Sequence, residues 1–224
     1  MTDSPKPVVD LRTYRIRRGG MPLFLRLSQT HVFPVMQRHV GAPLGYYVTV
    51  IGAQDEVTHL WGYDSVGDME TRRLARNQDP EWPRYAVDSR DLIDVQETRV
   101  VRRLALPSLA AAPRPDPAKP VVEFKVTTIR RGTMPDFLRR YEELAVPAQL
   151  RHVGAPDGLY LAEIGPQNQV TQLSAFDSLA DYEARTAARD REPAWAQFQA
   201  ATESMVLAET TKATRRVAFG AAGP

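Results

Sequence analysis

An arginine, a glutamate and two histidines are the residues that we expect to do chemistry in this sequence: Arg12, Glu97, His31 and His59. A histidine titrates near neutral pH, so it is suited to move a proton. The guanidinium of Arg12 would hold an anionic or carbonyl oxygen of a ligand, with Glu97 orienting it. Aromatic side chains would form the walls of the pocket; they are Tyr14, Tyr46, Trp61 and Tyr63.

Each of these residues also has a structural interpretation, which the sequence leaves open. His31 lies on the apolar stripe of a predicted helix, where a histidine is more often a hydrogen-bonded core residue than a catalyst. Arg12 and Glu97 would form a cross-strand ion pair. His39 and His152 each end a predicted helix, where the dipole favours a cation, so we interpret both as structural.

The chain repeats itself. Arg17 recurs as Arg130 and Arg38 recurs as Arg151, in each case 113 positions later, and residues 9–103 align with 122–216 without a gap. We therefore predict an N-terminal repeat at 8–104 and a C-terminal repeat at 121–217. A Pro/Ala-rich linker at 105–120 is expected to be extended, and the residues after Val217 are expected to fray.

Each repeat has the pattern of a β-α-β-β-α-β unit. In the first, strands are expected at 8–16, 45–51, 57–63 and 94–104. The first helix begins at Pro22 with a kink near Pro34, and the second begins at Ser65 and is interrupted at Asp79-Pro80. This order predicts a ferredoxin-like unit with strand order 4-1-3-2. The fold class is α+β: two tandem ferredoxin-like repeats forming an intramolecular α+β barrel, a pseudo-dimer.

The two copies share one face of the sheet and differ on the other. On the third strand, Thr58 and Leu60 match Thr171 and Leu173. The opposite face has diverged, because His59, Trp61 and Tyr63 become Gln172, Ser174 and Phe176. A diverged face is suited to a pocket that is specialised in one copy, so we place the pocket in the N-terminal repeat.

The composition argues against several classes of function. The 29 basic and 27 acidic residues give a net charge of +2 without a basic patch, so we expect no nucleic-acid partner. There is no cysteine, and the four histidines lack the spacing of a metal site. We expect no metal and no cofactor. No apolar run is long enough for a membrane span, and the cytoplasm is the expected location.

Several segments of the first repeat resemble the NIPSNAP family: residues 9–14, 45–52, 57–65 and 79–82. The second repeat departs from the pattern, since Lys125, Thr127, Gln172 and Ser174 replace Arg12, Tyr14, His59 and Trp61. The resemblance implies a dimeric α+β barrel fold. That group includes cofactor-independent monooxygenases, haem-binding enzymes, isomerases and cyclases, so the resemblance leaves haem on an axial histidine open. Eukaryotic NIPSNAP proteins resemble mitochondrial adaptors.

Two functions follow from these observations. The first is an enzyme that acts on a small organic metabolite, as an isomerase, a cyclase or a cofactor-independent oxygenase, with its pocket in the N-terminal repeat. The alternative is a non-catalytic binding or adaptor module. The Arg-, Ala- and Pro-rich usage is typical of a bacterial protein from a high-GC genome, where biosynthesis is a common role, and a homo-oligomer of the barrel is a further expectation.

Overall fold

The first repeat follows the predicted order of elements in a computed structural model that describes residues 5–113 and 115–219. Its strands are β1 (Val8–Ile16), β2 (Gly45–Ile51), β3 (Glu56–Tyr63) and β4 (Ile93–Arg103). Its helices are α1 (Met21–Leu27), α2 (Phe33–His39), α3 (Val66–Asn77) and α4 (Trp82–Asp88). Each strand lies within one residue of the range that the alternation of apolar and polar residues predicts.

The second repeat has the same elements, shifted along the chain. Its strands are β5 (Val121–Ile129), β6 (Gly158–Ile164), β7 (Gln169–Phe176) and β8 (Val206–Arg216). Its helices are α6 (Met134–Arg140), α7 (Val146–His152), α8 (Leu179–Asp190) and α9 (Pro193–Thr202), and the short helix α5 (Pro107–Ala110) precedes them. The chain divides into two compact units, one with the described residues up to Arg102 and from Arg216 onward, the other with those of 103–215.

The sheet of the first repeat has the predicted order β4-β1-β3-β2, with antiparallel neighbours. Arg12 lies opposite His59 on β3 and opposite Thr98 on β4. The second repeat has the matching order β8-β5-β7-β6. The order of all eight strands is that of a closed barrel, β1-β3-β2-β8-β5-β7-β6-β4, so the predicted fold class is confirmed.

The first helix of each repeat contains a five-residue π-turn. Ser28–Val32 forms it between α1 and α2, and Tyr141–Ala145 forms it between α6 and α7. The amide of Phe33 donates to the carbonyl of Ser28, five residues earlier. Pro34 follows directly and has no N–H to donate, which favours a break in the α-helical pattern at this point. The predicted kink near Pro34 therefore takes the form of a π-turn.

The second helix starts and stops where the sequence predicts. The hydroxyl of Ser65 accepts a hydrogen bond of 3.0 Å from the amide of Asp68, which satisfies an N–H that has no partner inside the helix. The break at Asp79-Pro80 separates α3 from α4. These two helices, with α2, lie on one face of the sheet and pack against side chains of β1 and β3.

One prediction about the connecting segments was wrong, and a second falls mostly outside the described residues. The linker is not extended throughout, because residues 107–110 form α5, and Leu106 and Leu109 pack against the core of the second repeat. Of the segment after Val217, which was expected to fray, residues 220–224 lie outside the described residues. The amide of Val217 itself donates 2.7 Å to the carbonyl of Tyr46, and Phe219 packs in the core of the first unit. Apolar side chains hold both segments in place. Among the described residues, no helix is long and apolar enough to cross a membrane.

Candidate functional site

A cavity of about 600 Å³ lies in the first repeat between the sheet and its helices. β1, β2 and β3 contribute Arg12, Tyr14, Tyr46, His59 and Trp61 to its wall. The π-turn, α2, α3 and α4 close the other side, with Val32, Met36, Arg73, Arg76, Trp82 and Tyr85 among the lining residues. The strand residues belong to the face that has diverged between the copies, so the diverged face is the one that meets the helices.

Arg12 is held from two sides, and part of its guanidinium has no protein partner. Its Nε donates 2.9 Å to Oδ2 of Asp10, and its Nη1 donates 3.1 Å to the hydroxyl of Tyr14. The remaining Nη2 is buried without a hydrogen-bond partner among the described residues, as is Oδ1 of Asp10. Burial lowers the pKa of Arg12, but Tyr14 and Asp10 together raise it above the ordinary value, so the side chain is a cation.

His59 is a neutral side chain with a defined tautomer. The indole Nε1–H of Trp61 donates 2.7 Å to Nδ1 of His59. An indole N–H can only donate, so Nδ1 is an acceptor and the ring proton lies on Nε2. The ring stacks on Tyr46, with centroids 5.0 Å apart, and meets Tyr14 edge-on at 4.9 Å. Burial, and then the charge of Arg12, lower the pKa of His59 to about 3.

Further arginines give the cavity a positive potential. The guanidinium of Arg76 lies 4.1 Å from the ring centre of Trp82, and its Nη2 donates 2.8 Å to Oδ1 of Asn77. Burial lowers the pKa of Arg76 to about 10, with repulsion from Arg12 and Arg73 as additional causes. The half-buried Arg73 makes no ion pair or hydrogen bond with the described part of the chain. Arginines that repel one another in a partly closed space favour an anionic ligand.

Five of the eight predicted site residues meet at this cavity; they are Arg12, Tyr14, Tyr46, His59 and Trp61. Tyr63 lies further along the same strand face, buried beside Val8 and Met69, and does not line the cavity. Its hydroxyl has no hydrogen-bond partner in the described part of the chain. Burial raises the pKa of Tyr63 to about 12.

Glu97 and His31 do not line the cavity at which the other predicted site residues meet. Glu97 lies opposite Thr13, the neighbour of Arg12, so it belongs to the other face of the sheet, where it is exposed and accepts a hydrogen bond of 3.4 Å from Arg99. The residue that orients Arg12 is Asp10, which corrects the predicted role of Glu97. His31 is half-buried in the π-turn and is not among the residues that line the cavity.

Sequence reasoning missed Asp10 and the arginines of α3. Asp10 precedes Arg12 by two residues on β1, and the period of a strand places both on one face, so this signal was available. Arg73 and Arg76 are separated by one turn of α3 and also share a face. Trp82, at the start of α4, also lines the cavity.

In the second repeat the corresponding side chains bind one another. The hydroxyl of Tyr141 donates 2.7 Å to Oε1 of Gln172, and Nε2 of Gln172 donates 3.0 Å to the hydroxyl of Ser174. The ring of Tyr141 packs against Phe137 and Phe198 in the core. Tyr141 corresponds to Ser28 of the first repeat. Its larger side chain fills space in the core here, and the polar groups of Gln172 and Ser174 are satisfied by hydrogen bonds within the repeat.

Comparison with known proteins agrees with the fold. The NIPSNAP family model matches residues 9–107 and 122–221. A NIPSNAP family protein with unknown function from Agrobacterium tumefaciens is 30% identical over 43% of this chain and 87% of its own, with a TM-score of 0.42. A candidate monooxygenase from Lactobacillus acidophilus is 8% identical, covers 94% of both chains and has a TM-score of 0.65.

An anthrone oxidase-like protein is 14% identical, with coverage of 97% of this chain and 94% of its own and a TM-score of 0.59. At these identities the likeness to the candidate monooxygenase and to the oxidase-like protein concerns the fold alone. No curated protein matches the sequence.

Proposed function

We propose, from the premise that the chain belongs to the NIPSNAP family, that its first repeat is an enzyme site for a small organic molecule. The site would bind a carbonyl compound and stabilise the oxyanion that forms when a neighbouring C–H bond gives up its proton. This chemistry begins the reactions of many isomerases, cyclases and cofactor-independent oxygenases. The second repeat would serve as scaffold.

The unpaired Nη2 of Arg12 is the observation that carries the proposal. A buried guanidinium N–H without a partner costs free energy, on the order of 1–3 kcal/mol, and the large majority of buried polar groups in native proteins are satisfied. Arg12 is 7% exposed, and its Nη2 belongs to a residue that lines the cavity. A ligand oxygen at this position would supply the missing acceptor and form a charge-assisted hydrogen bond.

His59 contributes a neutral donor to the same site. Its Nδ1 lone pair is already used by Trp61, and with a pKa of about 3 the ring is not protonated at neutral pH. The role expected from the sequence, that a histidine moves the proton, therefore changes for His59: its Nε2–H would donate to the ligand oxygen. Fixed donors in a site with little water stabilise developing negative charge strongly.

The proton itself needs another acceptor. Asp94 is the carboxylate among the residues that line the cavity, and it is exposed at the start of β4. When the C–H bond breaks, its electron pair forms the enolate double bond, the carbonyl electrons move to oxygen, and the proton passes to Asp94 or to water. The enolate would then be protonated at another carbon, attack a second carbonyl, or react with O₂, which gives the three reaction types.

Proton exchange on a model ketone tests the proposal. We would incubate 2-tetralone with the protein in D₂O at pD 7 and follow the α-proton signals by ¹H NMR. The wild-type protein should accelerate exchange, and Arg12→Gln and His59→Gln should each lose roughly 100-fold of that acceleration, the usual effect of one oxyanion donor. The matched control is Lys125→Gln, the counterpart of Arg12 in the second repeat.

Two results would contradict the enzyme proposal: wild-type exchange at the buffer rate, or full exchange in both Arg12→Gln and His59→Gln. His31→Ala is a further arm, because the sequence made His31 a candidate catalyst. Full exchange in His31→Ala agrees with its position outside the cavity, whereas a loss comparable to that of His59→Gln would return His31 to the catalytic group. A binding module remains the second candidate, favoured by the polar contacts that Arg12 already makes with Asp10 and Tyr14.

The proposal includes the remaining expectations from the sequence. The ligand would be a small molecule rather than a nucleic acid, and catalysis would need no cofactor. A bacterial, cytoplasmic protein with a role in biosynthesis, with further assembly of the barrel into a homo-oligomer, fits the composition. Fractionation of the source cells and light scattering of the purified protein test location and assembly.

A further inference from the structure

Aromatic side chains form much of the wall of the cavity. The aromatic residues that line it are Tyr14, Tyr46, Trp61, Trp82 and Tyr85, in addition to the imidazole of His59. Several of the rings are fixed by their neighbours: Tyr46 stacks on His59 with an angle of 8° between the planes, and its hydroxyl lies 3.1 Å from Oγ of Ser28. Rigid aromatic surfaces favour a ligand with flat faces of its own.

Positively charged side chains outnumber negatively charged ones in the lining of the cavity. Arg12, Arg73, Arg76 and Arg90 line it, against the single lining carboxylate of Asp94. Arg90 and Asp94 are exposed, whereas Arg12 and Arg76 are buried. Asp10 balances Arg12, but Arg76 makes no ion pair with the described residues, so an unbalanced positive charge lies in the interior, next to the aromatic rings. An anionic group placed there would relieve the repulsion among the arginines.

We infer that the ligand of this site is a planar, conjugated organic acid that binds as an anion, one molecule per chain. Its charged oxygens would contact Nη2 of Arg12, with Arg73 nearby, and its conjugated body would lie among the aromatic rings. A cavity of about 600 Å³ is in the range that holds a molecule of two or three fused rings. This inference rests on the proposed function only in using the same cavity.

The second repeat supports the stoichiometry. Gln172 and Ser174, which replace His59 and Trp61, form hydrogen bonds with each other and with Tyr141 or Gln149. Lys125, which replaces Arg12, forms an ion pair of 3.1 Å with Glu209. The polar groups that would meet a ligand are thus already engaged, so a second molecule is not expected to bind at the equivalent position.

Calorimetric titration with three matched probes tests this inference. The probes are 2-naphthoate, which is planar and anionic; 2-naphthamide, which is planar and neutral; and decahydro-2-naphthoate, which is anionic and not planar. We expect 2-naphthoate to bind with one site per chain, and both other probes to bind at least about tenfold more weakly, because each lacks one of the two recognised features.

Arginine variants then test which side chains contact the carboxylate of 2-naphthoate. Arg12→Gln should weaken 2-naphthoate binding about tenfold and 2-naphthamide binding by much less, because the amide carbonyl accepts from Arg12 but carries no charge. Since Arg12 is buried, Arg73→Gln provides a second test at a half-buried residue without an ion pair, with an expected loss of about threefold. Lys125→Gln is the control and should bind all three probes as the wild type does. Circular dichroism verifies that each variant is folded.

Equal binding of 2-naphthoate and either other probe, two sites per chain, or unchanged binding in both Arg12→Gln and Arg73→Gln would overturn the inference. These outcomes are distinct from failure of the proposed function. Selective binding of 2-naphthoate without exchange of 2-tetralone would keep the ligand class and remove the catalysis. Exchange of 2-tetralone without a preference for the planar anion would keep the catalysis and remove the ligand class.

Discussion

The indole N–H of Trp61 donates a 2.7 Å hydrogen bond to Nδ1 of His59, two residues earlier on the same strand. The bond fixes which nitrogen of His59 carries the proton, and it turns a residue that usually exchanges protons into a fixed donor. Neither residue has a like counterpart in the second repeat, where Gln172 and Ser174 stand in their places. The pair is therefore a feature of the first repeat and of its cavity.

Replacing Trp61 with Phe should release the tautomer of His59. The variant keeps an aromatic ring but loses the N–H donor, so Nδ1 and Nε2 are expected to share the proton at neutral pH. Long-range ¹H–¹⁵N NMR spectra distinguish the two nitrogens directly. Trp195→Phe is the control, because the indole N–H of Trp195 has no hydrogen-bond partner in the described residues. An Nε2–H tautomer that is unchanged in Trp61→Phe would contradict the role given to the indole.

The lowered pKa of His59 predicts a specific dependence of stability on pH. The unfolded state takes up a proton at His59 below about pH 6.5, whereas the folded state does so only near its pKa of about 3. The free energy of unfolding therefore falls as the pH is lowered through this window, by about 1.4 kcal/mol per pH unit from this residue. His59→Gln should remove that contribution.

Urea unfolding at pH 7 and pH 4.5, followed by circular dichroism, measures the effect. The wild type should lose roughly 2–3 kcal/mol more than His59→Gln between the two pH values. Val57→Ala, a buried substitution without a titrating group on the same strand, should keep the wild-type slope. Parallel pH profiles for the wild type and His59→Gln would show that the burial of His59 does not act on stability in this way.

Much of the fold could be read from the sequence, because it depends on local patterns. The alternation of residues on β1 and β3 predicted which side chains share a face, and the spacing of the two copies predicted the tandem units. The serine before each second helix predicted the helix start, and Ser65 and Ser178 both accept the expected hydrogen bond. Signals of this kind act over a few residues and are independent of the rest of the molecule.

The site was harder to predict because it depends on register and helical phase. Glu97 was expected beside Arg12, but β4 pairs so that Thr98 lies opposite Arg12, and a shift of one residue changes the face of the sheet. His31 was expected on the buried stripe with Phe24 and Val35. The π-turn at Ser28–Val32 has more residues per turn than an α-helix, so it changes the direction in which His31 points.

The ion pair between Asp10 and Arg12 should be important for stability, whereas Glu97 should not be. Asp10→Asn removes the charge that balances a buried guanidinium, and breaking a buried pair in this way typically costs about 3–5 kcal/mol. Glu97→Gln is the matched control: its contact with Arg99 is exposed, and such pairs contribute under about 1 kcal/mol. Thermal and urea unfolding compare the two variants. Equal losses of stability would mean that the carboxylate of Asp10 does not balance Arg12.

Phe219, which follows β8, should contribute to the stability of the first repeat and to ligand binding in its cavity. The ring of Phe219 meets Tyr46 edge-on at 4.7 Å, and Tyr46 in turn stacks on His59. Phe219 is half-buried, and Phe219→Ala removes its apolar ring from the core. The substitution should therefore lower the free energy of unfolding by about 1–2 kcal/mol. Because Tyr46 loses a neighbour, binding of 2-naphthoate should also weaken.

Leu106→Ala is the matched control for Phe219→Ala. Leu106 occupies the corresponding position after β4, and it packs against the core of the second repeat. Its substitution should lower stability by about 1 kcal/mol without any change in 2-naphthoate affinity. Calorimetric titration and urea unfolding on both variants separate the two effects. Loss of affinity in Leu106→Ala as well would indicate that lower stability alone weakens binding. A loss confined to Phe219→Ala would show that Phe219 supports the binding site.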